Sequence, residues 1–353
     1  EYRIGRNTLL QARALTAAEY GLNVVLARDG TVAPDSGWNM TWNTALGGGQ
    51  VITRQYLPND GSLDTVRVTR LDGRSFLVVS EGRAGVVGNS QAQARRRIGA
   101  LVRLAVPQMN FLGALTSRGA TRLGGGSFIN GVDSALAGWG CGPAGPTKPG
   151  VAVSELSDVT TSECTGLSCV NGDPKILESP AAGDTSTYFR YGDTDWAALT
   201  AAANKIVSPG TLNGLGPEVK ADGTCDLGNV SNWGDPRKNT PAGPCENYFP
   251  IIYATGDISI SGGIGQGILL VEGNLSVQGG AEFYGPVIVR GRLTTTGTGG
   301  RFNGGVMAAS VDLDQITALG DAVIQYSSCT IEKALNGSAT PMLARGRSWV
   351  ELY

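Results

Sequence analysis

The chain has no histidine among its 353 residues. That absence removes the Ser-His-Asp and Cys-His catalytic arrangements, zinc sites with imidazole ligands and a histidine-ligated haem. An enzyme built on this sequence would have to work with carboxylates, Lys, Tyr or Cys, and the expectation is a protein that is not an enzyme and holds no cofactor. Charge is scarce as well: Asp, Glu, Lys and Arg make up 16% of the residues and sum to −2. No strong overall field is available to gather nucleic acid or anionic lipid. No apolar run approaches the roughly 18 residues of a membrane-spanning helix, and no secretory signal is visible. The chain opens on "EYRIGRNTLLQARALTAAEYGL", without Met and partway along a helical pattern, so an upstream segment is expected. No CxxC pair occurs.

Glycine is present in abundance, 53 residues, and it is ordered. Gly256-Asp-Ile-Ser-Ile, Gly273-Asn-Leu-Ser-Val and Gly291-Arg-Leu-Thr-Thr repeat one pattern at intervals of 17 and 18 residues. A second series interleaves: Gly267-Ile-Leu-Leu-Val, Gly285-Pro-Val-Ile-Val and Gly305-Val-Met-Ala-Ala. A unit of about 18 residues thus holds two short strands and two glycine corners, the signature of a solenoid whose rungs stack because none can bury its apolar face alone. Ile258, Leu275 and Leu293 are expected in one inward row, and Ile268, Val287 and Val306 in another. The competing reading is a β-sandwich with short hairpins.

The rest of the chain is read around that repeat. Residues 1–30 give an N-terminal helix, with Ile4, Thr8, Ala12, Leu15, Ala18 and Leu22 at helical spacing. Residues 31–134 give a β-sheet region leading into the solenoid, with strands at 49–57, 64–71, 75–82 and 95–106. In the last of these Ile98, Ala100, Val102 and Leu104 alternate with Arg97, Leu101 and Arg103. Four arginines between 95 and 103 without interleaved aromatics read as a solvated strand face and not as a nucleic-acid patch. Residues 135–248 form a Cys-rich inserted loop region with little periodicity, apart from a helix over 193–207 capped by Asp193 or Thr194. Residues 249–353 return to the solenoid and end in a short helix and strand. The expected fold is mainly β: an N-terminal α-helix, a small antiparallel sheet and a right-handed β-solenoid (β-helix) carrying the insertion.

Six cysteines, Cys141, Cys164, Cys169, Cys225, Cys245 and Cys329, are even in number and widely spaced, which favours structural disulfides in an oxidising compartment. Connectivity is open, with Cys164–Cys169 and Cys225–Cys245 as the local pairs. For calcium the weak candidates are Asp193 and Asp195 in "YGDTDW" and Asp222 and Asp226 in "ADGTCDLGN", with Asp60 and Asp64 behind them. None completes a calcium loop, and turn and cap roles explain Asp there. Glu272 and Glu282 are the acids at the heart of the repeat; without a close second acid they argue only faintly for glycan cleavage. Trp139, Trp196 and Trp233 stand in the insertion, either as anchors for a partner or as the small core of a stapled loop region.

"ALTAAEYGL" (14–22) resembles the end of the N-terminal helix of type IV pilin-like proteins of the PilX-type minor pilin family. "FLVVSEGRAG" followed by "ARRRIGALVRL" is similar to the strand pair after that helix, and the glycine-rich repeat and the closing "RSWVEL" resemble larger members. The resemblance implies a cleaved prepilin leader and an apolar segment, which anchors the subunit in the membrane and then packs in a filament core. Both are absent from this sequence. It also implies no catalytic residues. The expected function is a non-enzymatic, extracytoplasmic pilin-like subunit whose partners are other subunits of a pilus or membrane complex. The alternatives are a periplasmic-side scaffold subunit of another membrane complex, or a solenoid carbohydrate-active enzyme.

Overall fold

Elements form where the sequence period changes from 3.6 to 2. The computed structural model describes residues 2–26, 49–55, 63–72, 74–86, 89–124, 126–162, 164–237, 243–312, 322–344 and 349–352. The protein is mainly β with an N-terminal helix, and it divides into two compact units. One is Glu1–Ala105 with Ala339–Tyr353, the other Val106–Ser338. The second unit is therefore inserted in the sequence of the first.

In the first unit, α1 (Tyr2–Leu26) precedes the antiparallel strands β1 (Gly49–Gln55), β2 (Leu63–Arg70), β3 (Ser75–Val86) and β4 (Asn89–Ala105), which pair in sequence order. Two C-terminal strands, Thr340–Leu343 and Trp349–Leu352, both pair with β4. Strict alternation buries Val66, Val68, Phe76, Val78, Ile98, Ala100, Val102 and Leu104 on one face, as period 2 requires. The helix buries Leu10, Ala14, Ala17, Ala18, Leu22 and Val25. That stripe is rotated from the expected one, since Thr8 and Ala12 are exposed. The cause is close approach: a Cβ on Gly82 of β3 would press into the Ala14 carbonyl and meet Ala18 N at 2.5 Å. Only small side chains fit there, so the alanines, not the bulkier apolar residues, set the contact face. The expected run of helix to Gly30 lies partly outside the described residues.

In the second unit the strands pair in parallel along three ladders. In spatial order the first takes 205–207, 251–254, 269–271, 287–289, 306–308, 115–117, 151–153 and 176–178. The second takes 210–213, 258–261, 275–278, 293–295, 310–312, 121–124 and 159–162. The third takes 264–266, 282–284, 301–304, 323–326, 128–130 and 170–171. Ile258, Leu275 and Leu293 align as expected and are buried. In the other series Val287 faces Leu269, not Ile268, and Val306 follows. Pro286 occupies the place equivalent to Ile268, and Gly304, not Gly305, stands beside Gly285.

Two features of the order differ from the sequence reading. Residues 135–248 are no excursion, because they supply strands at both ends of the ladders: 151–178 at one end and 205–213 at the other. The chain also builds the ladders out of sequence. It starts in the middle at 115–130, extends outward to 178, crosses to the far end at 205 and returns to meet its own start at 306–326. The expected helix over 193–207 is correspondingly short, Trp196–Ala201, capped by Asp195, while Lys205–Val207 pairs as a strand. The C-terminal helix, Ser328–Gly337, forms where expected with Ser327 at its cap.

Candidate functional site

The repeat's polar residue bonds the rung next to it. Asp257 Oδ1 accepts from Asn274 N at 2.8 Å, and Asn274 Oδ1 accepts from Arg292 N at 2.8 Å. Hydrogen bonds from the Asn274 backbone and side chain hold the Asp257 carboxyl below the usual aspartate range. The preceding glycine is needed because the side chain and backbone of the next rung both come close: a Cβ on Gly291 would meet Asn274 Oδ1 at 2.5 Å and the Gly273 carbonyl oxygen at 2.7 Å. A second polar line runs along the third ladder. Asn171 Nδ2 donates to Asn130 Oδ1 at 3.1 Å, and Asn130 Nδ2 donates to Gln325 Oε1 at 2.9 Å.

The place where the chain meets its own start is densely fastened. Beside the Asn130–Gln325 bond, Ser328 N donates to Asp133 Oδ1 at 2.8 Å and Ser327 Oγ to Ser134 O at 2.7 Å. Cys141 and Cys329, 188 residues apart, are joined there as a disulfide. The structure also pairs Cys164 with Cys169 and Cys225 with Cys245, the two local pairs named from the sequence. The long-range pair was not legible because its two cysteines become neighbours only through the out-of-order stacking.

The three tryptophans are buried, so the reading of them as partner anchors is corrected. Trp139 donates Nε1 to Pro236 O at 3.2 Å, stacks on Tyr284 at 5.7 Å and meets Phe249 edge-on at 5.9 Å. Trp233 donates to Val230 O at 3.1 Å and meets Phe283 edge-on. Trp196 donates to Glu272 Oε2 at 3.1 Å. Around it a compact buckle forms: the Arg290 guanidinium lies 4.8 Å from the Phe189 ring and 5.6 Å from the Trp196 ring, and it pairs directly with Glu272. Burial, with the Glu272 carboxylate close by, pushes the Tyr253 phenol up. The buckle fastens the 185–201 crossing segment to the outer side of the first ladder.

The acids are dispersed. Glu282 accepts from the Tyr284 hydroxyl at 2.9 Å on the third ladder, whereas Glu272 serves the buckle. Burial first, then Glu282, pushes Tyr284 up to about 12. Asp195 caps its helix through Ala198 N, and Asp193 is exposed in the adjoining turn. Asp222 accepts from Thr224 N and Oγ1, and Asp226 from Gly228 N. Asp64 is buried beneath α1, and Asp60 lies outside the described residues. Among the described residues no group of three or more Asp, Glu, Cys or His side chains is gathered to hold a metal.

Sequence reasoning missed the cation of this region. Lys205, 3% exposed, donates Nζ to Leu227 O and Asn229 O, both at 2.5 Å, with the Tyr248 ring 5.6 Å away. The loop that carries the weak calcium candidates Asp222 and Asp226 thus turns two of its carbonyls to a lysine ammonium. Burial lowers the Lys205 pKa, against the pull of Asp226. The residue was hidden in a stretch read as the tail of a helix.

Chemically, these arrangements bind parts of the chain to one another. Among the described residues no helix is long and apolar enough to cross a membrane. No family model and no curated protein matches the chain. Among solved structures, it is similar to the competence-associated pilin ComZ from Thermus thermophilus, at 13% identity over 97% of this chain and 98% of that one, with a TM-score of 0.26.

Proposed function

We propose that the chain is a non-enzymatic structural subunit of an extracytoplasmic, pilin-like assembly, and a member of the PilX-type minor pilin family. The carrying observation is the way the units are joined: a helix docked through alanines on an antiparallel sheet forms one unit, and a 233-residue unit (106–338) is inserted between β4 and the strands that close that sheet. In this reading the helix and sheet are the stem through which the subunit packs. The inserted unit is a right-handed β-solenoid, a rigid spacer presented to the exterior. Three disulfides fit an oxidising compartment, and the interlocked polar side chains fit a role in packing instead of turnover. No cofactor or metal is required. Other subunits are the partners, and a segment upstream of Glu1 supplies the membrane anchor.

The test is intact-mass and N-terminal peptide analysis of the native protein from the cell envelope. A mature chain that begins with a long apolar segment after a prepilin-type cut is the expected result. A lipid-modified start or an unrelated anchor would favour the scaffold subunit of a different membrane complex.

A further inference from the structure

The near-zero net charge conceals a separation. The first unit carries 15 Lys and Arg against 9 Asp and Glu, and the second 13 against 21, so the formal charges are +6 and −8, summing to the chain's −2. In the first unit the outer face of the sheet, opposite α1, combines this charge with apolar surface. Leu77 faces Leu101 across β3 and β4, and Arg103 faces Met342. Leu77, Leu101, Met342 and Val350 are 38%, 41%, 49% and 56% exposed. Arg67 and Arg103 stand exposed among them. Arginine and methionine are enriched at protein interfaces, and an apolar patch rimmed by guanidiniums suits an acidic partner surface.

The second unit presents such a surface at the 176–178 end of its ladders. Leu156, 54% exposed, is flanked by Glu155 and Asp158, and its N–H donates to Glu178 Oε2 at 3.0 Å. Lys175, three residues before Glu178, directs its ammonium to the Leu167 carbonyl.

We infer that the outer sheet face of one copy docks on the acidic Leu156 end of a second copy. The contact is intermolecular and joins two different faces of the chain. Opposite charge steers and orients the encounter, and Leu101, Met342 and Leu156 supply the apolar centre. The inference goes beyond the pilin-like reading and does not depend on it.

The experiment is sedimentation velocity of the whole chain at low and high salt, up to about 0.5 mM, where an interaction in the weak range is populated. The expected result is concentration-dependent association at low salt, weakened roughly tenfold or more at high salt. Arg67→Glu with Arg103→Glu, or Glu155→Lys with Glu178→Lys, abolishes it. Each pair changes exposed side chains only, and circular dichroism confirms that the fold is kept. Mixing the two charge-reversed proteins restores association, because the reversed faces complement each other. A chain that stays monomeric at low salt overturns the inference. So does association that survives both reversals.

Discussion

At the residue scale, the repeat is explained by a side chain that crosses to its neighbour. Gly273 leaves room for Asp257, and Gly291 for Asn274. Gly291→Ala is expected to lower stability by about 1–3 kcal/mol, because the new methyl displaces an amide that bonds Arg292 N. Asn274→Ala should cost about 1 kcal/mol, and Gly291→Ala stays costly even in that background, because the new Cβ also meets the Gly273 carbonyl oxygen at 2.7 Å. Thermal melts of the two variants check both values, and equal, negligible effects would remove the crossing side chain from the explanation. A pH dependence follows from Glu81, 8% exposed. Burial pushes its pKa up, but hydrogen bonds and attraction from Arg97 and Arg83 outweigh that and leave it below the ordinary 4.5. A carboxyl depressed in the folded state stabilises it above the unfolded pKa, and the contribution fades as pH falls through the folded value. The melting temperature should therefore fall below about pH 4.5. Glu81→Gln should lie below the parent at neutral pH and converge with it in acid.

At the scale of elements, the seam between 115–130 and 306–326 joins rungs about 190 residues apart in the chain. Its clasp is the Cys141–Cys329 disulfide, which closes 188 residues. Chain-entropy arguments give a crosslink of that span about 5 kcal/mol as an upper value. In the Cys141→Ser, Cys329→Ser double variant, hydrogen exchange at 115–117 and 306–308 should accelerate more than at 268–271. A uniform change across all three would deny the seam a special role. The same seam marks the limit of what the sequence discloses. The rungs at 256–295 were legible because consecutive repeats are also spatial neighbours, so Ile258, Leu275 and Leu293 declare one another. Strands such as Val151–Val153 and Lys205–Val207 were not, because their partners lie roughly 35 to 50 residues away and their own period is too short to announce a strand. Lys205 shows the same limit at the candidate site. Its acceptors are backbone carbonyls, which no side-chain pattern reveals, and Lys205→Met is expected to loosen 225–237 and 243–248 while the ladders stay protected from exchange.

For the whole molecule, the proposed function treats the helix-on-sheet unit as a stem and the inserted, disulfide-bonded unit as a spacer. The buried tryptophans, Arg290 and Lys205 each bind another part of the chain. Among the described residues, the basic outer sheet and the acidic Leu156 end each combine charge with exposed apolar side chains. The most direct test of the structural-subunit reading is to shear surface filaments from cells that make the native protein and measure how much of it is recovered with them. The account predicts that the protein co-purifies with the filaments in constant proportion and is visible on them by immunogold labelling. Recovery only from the soluble or membrane fraction, with filaments free of label, would contradict it.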